Sequence, residues 1–226
     1  MATSKQDIDQ FIAEQVDKWK SQTKAHVPVI TLSTESGSGG RVVARQVAER
    51  LNLDLFDRDI VKGVAESAHL SDQVIQSIEK ERLSGIQDFI SALVDDKYLY
   101  PGIYLEHLCK LISVIAKHGH AVIVGRGANF IIPPEERLAI RIVAPLVTRM
   151  ENVARHYGVT EEEARQRILN REKRRASFVR HSFKADIADC ASYDLIINTA
   201  GMDLNAAVGA IVGCVVGNRE RLLKTL

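Results

Sequence analysis

The sequence is poor in the residues that staple small folds or hold metals. Among 226 residues there are only three cysteines, Cys109, Cys190 and Cys214. They are widely spaced and odd in number, so they encode neither a disulfide framework nor a paired zinc site. His107, His118, His120, His156 and His181 fall at no metal-ligand spacing, and the pair flanking Gly119 reads as a surface turn. A surplus of one charge is missing too. The 30 basic and 29 acidic side chains leave a formal net charge of +1, which offers no field for nucleic acid and leaves a small anionic ligand open. No run is long and apolar enough to span a bilayer. Asp7, Asp9, Glu14 and Asp17 interrupt residues 1–20, where a secretory leader would carry an apolar core. The expectation is a cytoplasmic protein with no nucleic-acid and no membrane partner. Internal repeats and low-complexity tracts are also lacking.

What is present is patterning of the α/β kind. Near-continuous apolar runs at 27–33, 53–57, 121–126, 138–144 and 194–199 predict parallel strands covered on both faces. Helical segments are predicted between them at 41–51, 59–69, 71–80, 102–118, 146–156, 160–180 and 203–216. The interval 58–119 is too long for a structureless loop and reads as a helical insertion. Ahead of the first strand, Ile8, Phe11, Ile12, Val16 and Trp19 recur at helical spacing over 6–21. Residues 1–26 thus form an amphipathic appendage that packs on the body or on a second subunit, a candidate homo-oligomer contact, with 27–226 as the main domain.

Between the first strand and the next helix lies the stretch TLSTESGSGGRVVARQ, residues 31–46. Strand, glycine loop, helix is the order of a P-loop, whose pattern is G-x-x-x-x-G-K-[ST]. Thr34 stands in place of the first glycine, Gly40 in place of the lysine, and Arg41 in place of the hydroxyl residue. Clustered glycines let backbone N–H groups converge on an anion at the positive end of the helix, so Ser36, Gly37, Ser38, Gly39, Gly40, Arg41 and Val42 are the predicted phosphate site. The plainer reading is a glycine-rich turn. On the phosphate reading Arg41 supplies the missing charge, and Gly40 holds a backbone conformation that a Cβ resists.

Other charged features allow two readings each. Asp57-Arg58-Asp59 ends the second strand, the edge where open α/β sheets place ligands; alternatively Asp59 caps a helix and Asp57 and Arg58 form a solvated pair. Arg126, between two glycines at the end of an apolar strand, is a candidate fork for a phosphate or base edge, or a plain loop arginine. Arg165, Arg167, Arg171, Lys173, Arg174, Arg175 and Arg180 form either a solvated helix face, balanced by Glu161, Glu162, Glu163 and Glu172, or a lid that closes arginines onto phosphates.

In order, the segments STESGSGGR, FDRDIV, VIVGRGANF, EKRRASF and YDLIINT resemble the motifs of the cytidylate kinase-like family of P-loop nucleoside monophosphate kinases, over about residues 27–216. The resemblance implies a three-layer α/β P-loop kinase fold with a parallel five-stranded sheet, a helical insertion after the second strand and a basic lid. It implies ATP as donor, with Mg²⁺, and a nucleoside monophosphate, CMP or dCMP, as acceptor. Carried over by position, Gly37, Ser38, Gly39, Gly40 and Arg41 would cradle the donor phosphates. Asp57, Arg58 and Arg126 would face the acceptor, and Arg171, Arg174 and Arg175 would act with Arg41 from a lid within 146–193. The insertion at 58–119 would bind the acceptor. No Mg²⁺ ligand is assigned, although Ser36 or Ser38 could replace the absent hydroxyl. Two other readings stay open: a non-catalytic nucleotide-sensing module on a kinase fold, which the missing lysine favours, and a kinase for another small molecule.

Overall fold

The computed structural model describes residues 4–21, 29–67, 73–77 and 103–218. Five parallel strands, β1 (Val29–Thr34), β2 (Asp54–Phe56), β3 (Ala121–Val124), β4 (Arg137–Val143) and β5 (Leu195–Asn198), form one sheet in the order β2-β3-β1-β4-β5. β1 is central: Leu32 lies in register with Val124 on one side and Ile140 on the other. The expectation of doubly covered strands holds for β1, β3 and β4, which are buried nearly throughout, but not for the edge strand β5, where only Ile197 is buried.

Eight helices accompany the strands among the described residues: α1 (Lys5–Ser21), α2 (Gly40–Leu51), α3 (Arg58–Glu66), α4 (Ile103–His118), α5 (Ala128–Ile131), α6 (Leu146–Tyr157), α7 (Glu161–Phe183) and α8 (Leu204–Gly217). Their ends follow local chemistry. Asp57 caps α3 through Asp59 N and Ile60 N, Thr160 caps α7 through Glu163 N, and Gly158 closes α6 at φ 63°. One apolar layer joins α1, α3, α4 and α5 to the sheet, and the other joins α2 and α8. Of the predicted insertion, α3, a helical turn at 73–76 and α4 are described. The rest of 58–119, with much of the helix expected at 71–80, lies outside the described residues, as do residues 27 and 28.

The apolar stripe of α1 goes to the chain's own body. Ile12 is fully buried, and Trp19 stacks on His118 at 4.2 Å, 4° from parallel, and on Phe56 at 6.1 Å. Lys18 and Gln15 both reach Asp54 at the start of β2, at 2.6 and 3.0 Å. This helix is part of the core rather than an appendage. Among the described residues no helix is long and apolar enough to cross a membrane.

Candidate active site

The loop between β1 and α2 is shaped by close approaches. Gly37 and Gly39 sit in the left-handed region at φ 89° and 76°. A Cβ on Gly37 would lie 2.5 Å from the Arg149 carbonyl oxygen, because the first turn of α6 presses on the loop there. Gly39 is the N-cap of α2 and brings no side-chain cap, which leaves the amides of Gly40 and Arg41 at the helix start without an intrahelical carbonyl. Such an open N-terminus is an anion site. The Ser38 hydroxyl is occupied, donating to Glu35 O at 2.8 Å, whereas the buried Ser36 hydroxyl has no hydrogen-bond partner.

Gly40 is the surprise. Its φ is not positive, so the conformational freedom expected of it belongs to Gly37 and Gly39 instead. A Cβ at Gly40 would meet Thr34 Cγ2 at 2.5 Å and Thr34 Cβ at 2.6 Å. Two of the three departures from the common loop pattern are therefore one: Thr34, replacing the first glycine, fills the space that a Cβ at position 40 would need.

A cavity of about 620 Å³ opens beside the loop at the carboxyl ends of β1 and β3. Five of its lining residues are arginines: Arg41 from α2, Arg126 from the turn after β3, and Arg171, Arg174 and Arg175 from α7. Asp59 of α3 joins them and pairs with Arg41 at 3.5 Å. Arg175 donates to the Thr34 carbonyl at 2.5 Å, so a guanidinium from α7 stands over the phosphate loop. Phe130, Phe178, Val179 and Ile187 add apolar surface to the lining, with Phe130 and Phe178 both packed on Phe183. The basic stretch of α7 is thus divided: Arg171, Arg174 and Arg175 turn to the cavity, while Arg165 pairs with Glu162 on the outer face.

Arg126 is held unusually. It lies at φ 56° between Gly125 at 76° and Gly127 at 69°, three successive residues in the left-handed region. A non-glycine residue there costs about 1–3 kcal/mol, and such strain concentrates at functional sites. Asp57, expected to face a ligand, accepts from Asp59 N and Ile60 N at 2.8 and 3.0 Å as the cap of α3, and it does not line the cavity. Asp59, the cap on one of the two readings, is the carboxylate on the cavity wall. Arg58 opens α3, and its side chain lies outside the described residues. Val42 is half exposed on the second residue past the loop's last glycine pair.

Several residues with no local signal hold the loop. Glu35 receives Ala144 N at 3.1 Å, Arg149 Nε at 3.3 Å and Arg141 Nη2 at 3.5 Å. Arg149 also pairs with Glu172 of α7, so one buried guanidinium joins the phosphate loop to the basic helix. Asn152 donates to Gly37 O at 2.9 Å, and Thr199, just past β5, donates to Ser38 O at 2.9 Å. The tail of YDLIINT was the available sign of Thr199. The others are visible only once α6 and β4 are folded beside the loop.

The strand order, the glycine loop opening α2 and the convergent arginines define a nucleotide-binding phosphotransferase with a P-loop kinase fold. More specifically, residues 29–201 match the cytidylate kinase-like family, and the chain belongs to it. The cytidylate kinase of Pyrococcus horikoshii is 31% identical over 174 residues, which cover 76% of this chain and 80% of that one. The cytidylate kinase of Methanopyrus kandleri is 29% identical over 181 residues, covering 76% and 84%. A solved structure of an uncharacterized protein from Eubacterium ventriosum shares the fold, with TM-score 0.65 at 22% identity over 84% of this chain and 98% of that one.

Proposed function

We propose that the protein transfers the γ-phosphoryl group of ATP to a nucleoside monophosphate, with CMP or dCMP as the preferred acceptor. The observation that carries this reading is the cavity itself: five arginines and one carboxylate converge beside an open helix N-terminus. The cytidylate kinase relatives support the choice of base.

The chemistry asks for positioning and charge balance rather than for a general base. An acceptor phosphate oxygen forms a new bond to the γ-phosphorus while the bond to the β–γ bridging oxygen breaks, and ADP leaves. The amides of Gly37, Gly39, Gly40 and Arg41 receive the donor phosphates. Arg126, preset by its strained turn, takes the acceptor phosphate. Arg171, Arg174 and Arg175 offset charge on the transferring oxygens, with Arg175 anchored beside the loop by the Thr34 carbonyl. Mg²⁺ keeps most of its waters in such sites and takes one or two carboxylates beside the substrate phosphates. Asp59 on the cavity wall fits that role. The ion would supply charge neutralisation across the β- and γ-phosphates.

The test is incubation with ATP, Mg²⁺ and a panel of monophosphates, with products separated by chromatography. CDP or dCDP should form fastest. ATP binding without transfer to any monophosphate would instead favour the nucleotide-sensing module, which the exclusion of lysine by Thr34 also suits.

A further inference from the structure

We infer that Asn129 reads the base of the acceptor nucleotide, its carboxamide N–H donating to an acceptor atom on the base edge. The inference rests on the monophosphate kinase reading above and deepens it. Asn129 is 7% exposed, lines the cavity, and its Nδ2 has no hydrogen-bond partner. A buried donor left unmatched is costly, and most such groups are paired in folded proteins. A ligand in the cavity is the natural partner for one that borders it.

Its surroundings say which part of the ligand. Asn129 lies three residues after Arg126 on α5, beside Phe130, and it shares the cavity lining with Phe178, Val179 and Ile187. With phosphate at Arg126, the next groups along that lining belong to a nucleoside, whose ring the phenyl side chains would flank. α5 rests on β1, whose Ser33 also lines the cavity.

The experiment measures CMP and ribose 5-phosphate binding by calorimetry, and melting with and without ATP, for wild type, Asn129→Ala and Asn129→Asp. Asn129→Asp keeps the shape and removes the donor. Both variants should bind CMP about tenfold more weakly, while ribose 5-phosphate affinity of Asn129→Ala and its stabilisation by ATP stay at the wild-type level. Without ligand, Asn129→Ala should melt no lower than wild type, since the unmatched donor is gone. Unchanged CMP affinity, an equal loss for ribose 5-phosphate, or a lower melting temperature of unliganded Asn129→Ala overturns the inference. A wild type that binds ATP but no CMP overturns the acceptor reading itself, and this inference with it.

Discussion

Reintroducing the common loop lysine should damage this protein unless Thr34 is changed with it. In Gly40→Lys the new Cβ would sit 2.5 Å from Thr34 Cγ2 and 2.6 Å from Thr34 Cβ, well inside ordinary contact. Thr34 ends the central strand and its carbonyl carries Arg175, so it has little room to retreat. Overpacking of this kind costs about 1–3 kcal/mol. At roughly 2–4 °C per kcal/mol for a domain of this size, a mid-range cost lowers the melting temperature by about 4–8 °C. Thr34→Gly alone should cost about 1 kcal/mol as a glycine in a strand. It also removes both clashing carbons. The double variant should therefore be at least as stable as Gly40→Lys alone, a favourable coupling of about 1–3 kcal/mol. Thermal and urea denaturation of the four proteins measure it. If the double variant loses the sum of the two single losses, Thr34 and Gly40 are not one steric unit and the account of the missing lysine fails.

The carboxylates after β2 should separate by role. Asp57→Ala should cost about 1 kcal/mol as a lost cap with kcat nearly unchanged, whereas Asp59→Asn should keep stability and raise the Mg²⁺ concentration needed for half-maximal rate. Steady-state assays across a Mg²⁺ series, with melting curves, check both. Trp19→Ala removes the ring stacked on His118 and Phe56 and should destabilise by about 3–5 kcal/mol. Deleting α1 should do more, because Ile8, Ile12 and Val16 leave the core with it; an equal melting temperature in either case would make the helix a dispensable tail.

The sheet was legible because its three inner strands are buried on both faces and so read as unbroken apolar runs. The site was legible wherever a motif is local. The glycines around Ser38 mark the helix start, and Arg126 between two glycines marks a turn that faces the cavity. Two readings stayed open where two nearby residues compete for one role. Either aspartate flanking Arg58 can cap a helix, and only the backbone geometry gives the cap to Asp57 and the cavity to Asp59. The reason for Gly40 was hidden because its partner, Thr34, lies across the loop and is a contact rather than a pattern. α5 is a single short turn, four residues long, too brief for any periodicity, so Asn129 passed without notice. The Glu35–Arg149–Glu172 connection draws on three separate elements and has no signature in any one of them.

The central claim is that arginines from α7 do the work that a loop lysine does elsewhere. It is tested most directly by phosphoryl transfer from ATP to CMP in wild type and Arg175→Ala at saturating substrates. The account predicts measurable turnover by wild type and a kcat about a hundredfold lower in the variant, with the KM for ATP changed by no more than about threefold. An Arg175→Ala enzyme with wild-type kcat would contradict it.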